Sequence, residues 1–172
     1  GIIAVAAGAG GHAGTISPFA LVAEIRRFFD KTIILSGAMS NGAQIAAARA
    51  MGADLTYLGT RFIATRESLA VDEFKAMILR STFSDIIYTP AISGVNASFL
   101  RQSLVAIGLD PENLTSHAKL DMNAEARVWK TIWSAGHGVG TIRDIPPTAE
   151  LCERLIAEYK EAVARLAAEK WR

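Results

Sequence analysis

The sequence lacks three features that would each point to a particular class of protein. Its 172 residues include one cysteine, Cys152, which excludes a disulfide within the chain and a cysteine-rich metal site. The 18 basic and 17 acidic residues form no block of one sign, which argues against nucleic acid as a partner. No apolar run approaches the ~20 residues that a membrane-spanning helix needs. We therefore expect a cytoplasmic protein that binds neither nucleic acid nor a membrane and holds no metal.

The chain also lacks a starting methionine and the basic flank of a signal peptide, because Gly1 is followed at once by an apolar run. We therefore expect it to be a piece of a longer protein. With 51% hydrophobic and 20% charged residues, it has the composition of an ordinary globular domain. Its length is sufficient for one domain with a hydrophobic core.

Three short apolar runs, rich in β-branched residues, predict buried parallel strands. The runs are Ile2–Ala6, Thr32–Leu35 and Leu55–Leu58. Ser17 followed by Pro18 predicts the start of a first helix, since serine is a good N-cap and proline suits the first helical position. A second helix is predicted from Ser40 to Gly52, so that residues 1–60 indicate a parallel α/β unit.

The pattern changes after Gly59. Apolar residues at helical spacing predict four further helices, which cover Leu69–Arg80, Asn96–Ile107, Met122–Trp133 and the residues from Thr148 onward. Between the first two of these helices, the sequence DIIYTPAISG predicts a short strand and a turn. The Gly/Pro-rich stretch 134–147 predicts a loop.

Glycine-rich turns follow each of the three predicted parallel strands. They read AGAGGHAG at 7–14, LSGAMSNG at 35–42 and YLGTRF at 57–62. Backbone N–H groups exposed in such turns can surround an anion, for example a phosphate group. His12 lies in the first turn, and histidine is the side chain best able to exchange protons near neutral pH. The sequence thus predicts a reactive site for a phosphorylated ligand.

The first turn also matches a dinucleotide-binding pattern, because Gly8–Ala13 fits G-x-G-x-x-G/A between a strand and a helix. That pattern requires an acidic residue about 20 positions further on, at the end of the next strand. The next strand here ends in Leu35-Ser36-Gly37 and offers no carboxylate. This argues against dinucleotide binding.

Three parallel strands cannot close into a barrel by themselves, which suggests a larger sheet. In a (β/α)8 barrel, which takes ~250 residues, the loops after the last two strands and a short extra helix hold a phosphate. TRFIAT at 60–65 has the length of that helix. We therefore predict an α/β fold that is the C-terminal part of a (β/α)8 barrel, strands six to eight, with an added helical segment. The predicted divisions are barrel strands at 1–68, a helical substrate-side segment at 69–146 and a returning helix at 147–172.

The series AGGHAG, SGAMSNG and YLGTRFIAT closely resembles the flavin-dependent nitronate monooxygenases, and the resemblance continues through TPAISGVNASFLRQSL and WSAGHGVGTI. It implies FMN as the cofactor, and the oxidation of nitronates or nitroalkanes by O2 to carbonyl compounds and nitrite. It also implies that His12 is the base that takes the α-proton of a neutral nitroalkane. The flavin-binding residues that it implies are Gly10, Gly11, Ser36, Gly37, Ala38, Leu58, Gly59 and Thr60.

The chain departs from the family pattern at several positions. Relatives often carry Gln-Met where this chain has Tyr57-Leu58. They often have SGGI where this chain has SGAM at 36–39, and AGQ where it has AGH at 135–137. His137 belongs either to a mobile loop or to a contact beside the flavin. Ser36 either binds the phosphate or caps its loop.

Two further functions stay open on the same residues. The superfamily also holds flavin-dependent enoyl-acyl-carrier-protein reductases, so one alternative is an NAD(P)H-dependent FMN reductase of enoyl thioesters or quinones. The other is an inactive fragment that binds a phosphorylated ligand. We further expect another segment or chain to supply the first barrel strands, with a homodimer as one form of assembly.

Overall fold

The computed structural model of the protein describes residues 1–114 and 132–168. A first sheet holds three parallel strands, β1 (Ile2–Val5), β3 (Ile33–Ser36) and β4 (Leu55–Tyr57), in the spatial order β1-β3-β4. The register pairs Ile3 with Ile34 and Ile34 with Leu55. The predicted parallel α/β unit is confirmed.

Two helices cover one face of this sheet. Helix α1 (Pro18–Arg26) starts at the predicted proline, and α2 (Gly42–Ala50) starts after the N-cap Asn41. The Asn41 side chain accepts a hydrogen bond from the backbone N–H of Gln44 at 2.9 Å, and the Gln44 side chain accepts one from the N–H of Asn41 at 3.2 Å. This reciprocal capping fixes where α2 begins. The core beneath the helices consists of Ala4, Ala6, Val22, Ile25, Ile33, Leu35, Ala48 and Ala53.

The opposite face of the first sheet, which we term the open face, carries apolar side chains that the described residues leave exposed. Ile3 is 60% exposed, Val5 40%, Leu55 55% and Tyr57 62%. Because side chains alternate along a strand, these four residues point away from α1 and α2. The first sheet therefore buries only one face against the described part of the chain.

A second sheet is antiparallel and has the order β2-β6-β5, with β2 (Gly11–His12), β5 (Ile86–Thr89) and β6 (Ala97–Leu100). The prediction of a helix over Asn96–Ile107 is wrong for the residues of β6. All four β6 residues are buried and β6 is paired on both sides, so non-local pairing overrides the local helical spacing. Helix α5 is confined to Arg101–Ala106. The described residues of the segment 69–146 therefore include both helices and antiparallel strands.

Three further helices complete the described chain: α3 (Thr60–Ile63), α4 (Asp72–Arg80) and α6 (Thr148–Ala168). Helix α4 begins three residues later than predicted, since the Ser68 hydroxyl accepts a hydrogen bond from the N–H of Ala70 and forms a turn there. The helix predicted over Met122–Trp133 lies outside the described residues, apart from its last two positions. Within 1–114 and 132–168, no helix combines the length and the apolar character that crossing a membrane requires.

Candidate active site

The turns at the carboxyl ends of β1, β3 and β4 converge on one cavity of about 200 Å³, which we term the glycine cavity. All eight residues that the sequence resemblance assigns to flavin binding line it, although this placement does not test what they bind. The described lining residues are Gly8, Ala9, Gly10, Gly11, Ser36, Gly37, Ala38, Met39, Ser40, Tyr57, Leu58, Gly59, Thr60, Ile63, Ser134, Gly136 and Gly138.

Backbone hydrogen bonds tie the turns together around this cavity. The carbonyl of Gly8 accepts from the N–H of Ala38 at 3.1 Å and from the N–H of His137 at 2.9 Å. The N–H of Gly136 donates to the Thr60 hydroxyl at 2.9 Å. The turn after β1, the turn after β3, the start of α3 and the loop 134–147 are therefore fixed relative to one another.

Glycine at position 136 allows two backbone segments to approach closely. A Cβ on Gly136 would lie 2.5 Å from the carbonyl oxygen of Gly8, and a Cβ on Gly10 would lie 2.8 Å from the nitrogen of Gly136. Neither position could carry a side chain without separating the segments. At these two positions of the cavity wall, backbone therefore packs directly against backbone.

His12 is held by the second sheet, not by the first. It pairs with Ala97 of β6, and the hydroxyl of Tyr88 donates to the carbonyl of Ala13 at 2.8 Å. The imidazole is exposed and does not line the glycine cavity itself, but the preceding residue, Gly11, does. The structure thus places His12 beside the cavity wall, accessible to a molecule that approaches from solvent.

His137 occupies the first position of a 3-10 turn, His137–Thr141, and is exposed. Its Nδ1 atom lies 3.0 Å from the point that a Cβ on Gly8 would occupy, so the ring packs beside the turn after β1. Its two neighbours, Gly136 and Gly138, both line the glycine cavity. Whether His137 contacts a ligand stays a prediction.

Two buried hydroxyl groups in the cavity wall were missed by sequence reasoning. The Oγ atoms of Ser40 and Ser134 are buried and make no hydrogen bond, and both residues line the glycine cavity. Buried polar atoms in folded proteins almost always have a partner. The two hydroxyls therefore fit a polar group of a bound ligand. Their place in glycine-rich loops is the only signal in the sequence that could have indicated them.

The glycine cavity carries no charged side chain among its described lining residues. Arg61, which follows Thr60 in sequence, is only 3% exposed. Its guanidinium forms an ion pair with Asp144 at 3.3 Å, and its Nε atom has no partner. Burial lowers the pKa of Arg61 and Asp144 opposes this effect, yet arginine stays protonated at neutral pH. Arg61 is thus a buried cation paired with Asp144, and it lines a neighbouring pocket and not the glycine cavity.

A comparison with known families identifies the kind of protein to which this site belongs. The family model described as nitronate monooxygenase matches residues 2–158, nearly the whole chain. The chain belongs to the nitronate monooxygenase family.

Individual relatives agree with this assignment. A nitronate monooxygenase from Paraburkholderia phytofirmans is 29% identical over 96% of this chain and 50% of its own length. The solved structure of FabK from Thermotoga maritima matches with a TM-score of 0.80 and 28% identity, over 96% of this chain and 56% of that one. A nitroalkane oxidase from Streptomyces ansochromogenes matches with a TM-score of 0.72 and 32% identity, over 95% and 52%. This chain therefore spans about half the length of these relatives.

Proposed function

We propose that the protein containing this chain oxidises alkyl nitronates or nitroalkanes with O2, to carbonyl compounds and nitrite, using bound FMN. The observation that carries the proposal is the convergence of three strand-end turns on one glycine-lined cavity in a chain of the nitronate monooxygenase family. The likeness to the nitroalkane oxidase, at 32% identity, supports the same class of substrate.

The glycine cavity is the proposed site for the phosphate of FMN. Its glycine-rich strand-end turns and the hydroxyls of Ser40, Thr60 and Ser134 suit a phosphate. A volume of about 200 Å³ is below the roughly 300–1,000 Å³ of most small-molecule sites. We therefore place the rest of the ligand beyond the cavity, at the carboxyl ends of β1, β3 and β4. FMN, when bound, supplies the electron acceptor that protein side chains lack.

We further propose that β1, β3 and β4 are strands six to eight of a (β/α)8 barrel, with the divisions 1–68, 69–146 and 147–172. Parallel sheets are ordinarily covered on both faces, but Ile3, Val5 and Leu55 lie exposed on the open face. Another segment or chain that supplied the remaining strands would cover them. The short helix α3 directly after β4 also suits a barrel.

His12 is the proposed base. In its neutral form, the imidazole accepts the α-proton of a nitroalkane and leaves the nitronate anion. Pairing with Ala97 and the hydrogen bond from Tyr88 to Ala13 restrict the movement of its loop. The exposure of His12 and its place next to Gly11, a lining residue of the glycine cavity, support this role. A substrate supplied as the nitronate has no α-proton to lose and does not need this base.

The experiment that tests this role compares the two substrate forms in the full-length protein carrying His12→Asn. Oxygen uptake with a neutral nitroalkane should fall about 10²- to 10⁴-fold, the usual contribution of a general base. Uptake with the preformed nitronate should change only slightly, because no proton transfer is required. An equal loss with both substrates would exclude the base role.

The alternative, an NAD(P)H-dependent FMN reductase of enoyl thioesters or quinones, is compatible with the backbone likeness to FabK. Anaerobic addition of NADH or NADPH separates the two enzymes, since only the reductase would bleach the flavin absorption. A full-length protein that is colourless and takes up no added FMN would instead support a binding protein without this activity.

A further inference from the structure

Tyr57 differs from every other described residue in the wall of the glycine cavity. It is the only aromatic residue among them, and 62% of it is exposed. It is the last residue of β4, and the register places it beside Ser36, another lining residue, on the open face of the first sheet.

We propose that Tyr57 packs its ring against the isoalloxazine of the bound flavin, an inference that rests on the flavin site proposed above. The glycine cavity is too small for a complete flavin, so the conjugated ring system must lie outside it. Tyr57 borders the opening on the side of the open face.

The place of Tyr57 in the cavity wall supports this contact. A Cβ built on Gly59, a lining residue two positions further on, meets none of the described atoms within 4 Å, so the described residues leave space around that glycine. A tyrosine ring presents a large apolar surface and gains from stacking on another flat conjugated system. Tyr57 shares the open face with Ile3, Val5 and Leu55, but of these four residues only Tyr57 lines the glycine cavity, so a ligand that extends from the cavity would cover its ring.

Contact between a phenol and a flavin has a spectroscopic consequence. A tyrosine that touches an excited flavin transfers one electron to it, and the electron then returns, so emission is lost without net reaction. Phenylalanine has the same shape but is much harder to oxidise, and it therefore stacks without quenching. This difference separates contact with the flavin from a purely structural role.

The test uses FMN and the full-length protein, with the variants Tyr57→Phe and Tyr57→Leu. Tyr159→Phe is the matched control, because Tyr159 lies on α6 and does not line the glycine cavity. In Tyr57→Phe the emission of bound FMN should rise several-fold while the dissociation constant stays near the wild-type value. In Tyr57→Leu the emission should also rise, and affinity should fall about 2- to 12-fold through the loss of aromatic stacking. Tyr159→Phe should change neither quantity.

Each outcome decides the matter. Unchanged emission in Tyr57→Phe, or unchanged affinity in Tyr57→Leu, would overturn the role of Tyr57. If the wild type still binds FMN in that case, the proposed function is not affected. A wild-type protein that binds no FMN would overturn the proposed function, and this inference with it. Thermal unfolding of both variants establishes that they are folded, which the exposure of Tyr57 leads us to expect.

Discussion

Ala38 adopts a backbone conformation that glycine adopts more readily. Its φ of +56° lies in the left-handed region, where a Cβ is unfavourable. Its N–H donates to the carbonyl of Gly8, which places the strained residue at the junction of two turns in the cavity wall. The family often has glycine here. Strain of this kind persists at functional sites because the surrounding structure holds the residue in place.

Ala38→Gly should therefore increase the free energy of unfolding by about 1 kcal/mol, because it removes the unfavourable Cβ. Denaturant titration measures this change. Ala47→Gly is the matched control, since Ala47 is an exposed residue inside α2 and glycine costs about 1 kcal/mol in a helix interior. A loss of stability in both variants would show that Ala38 is not strained.

The residues of the candidate site could be located from the sequence, but their surroundings could not. The eight lining residues assigned in advance follow strands or start helices, and glycine spacing marks such turns. Ser40 and Ser134 also lie in glycine-rich loops, but nothing in the sequence indicates that their hydroxyls are buried. The Ser40 hydroxyl is buried because Gly138 packs against it, so closely that a Cβ on Gly138 would lie 2.5 Å from the Oγ atom. This contact joins residues almost 100 positions apart, and no local pattern encodes it.

Helices α2 and α6 pack so closely that the first residue of α2, Gly42, has no room for a side chain. A Cβ on Gly42 would collide with the backbone of Leu155 and Tyr159 in α6. The N–H of Gly42 also donates to the Glu158 carboxylate at 2.7 Å. Helix α2 starts directly after the turn that forms part of the glycine cavity, so this packing also supports the site.

Gly42→Ala should lower the free energy of unfolding by about 1–3 kcal/mol, the usual cost of overpacking, since backbone atoms of α6 cannot move aside as a flexible side chain could. Gly140→Ala provides the comparison, because a Cβ there would meet its nearest neighbour at an ordinary 3.7 Å. Thermal unfolding of the two variants measures the difference. Equal stability of both would contradict the close packing of the two helices.

Elements that carry local signals were predictable from the sequence. Pro18, Asn41 and Thr148 lie at or next to the starts of α1, α2 and α6, as their capping preferences predict. Strand β6 was mistaken for helix because apolar residues such as Phe99 and Leu100 fit both periodicities. What decides the outcome is the pairing of β6 with β2 and β5, and that pairing is distant in sequence.

At the scale of the whole molecule, the two sheets contribute different parts of the candidate site. The first sheet supplies the turns that line the glycine cavity, and the second supplies His12 through β2. The sequence indicated that these turns would meet, because parallel strands end on the same edge. It gave no sign that the histidine turn would join an antiparallel sheet formed by residues 86–100, since a two-residue strand leaves no periodicity.

Binding of a flavin phosphate in the glycine cavity can be tested with the full-length protein carrying Gly59→Val. The quantity to measure is its affinity for FMN. A Cβ at Gly59 meets no protein atom within 4 Å, so the protein itself has room for the start of a side chain. Affinity should fall about tenfold or more, because the valine blocks hydrogen bonds to a charged group. The unfolding temperature should stay near that of the wild type. Wild-type affinity for FMN in Gly59→Val would contradict phosphate binding in the glycine cavity.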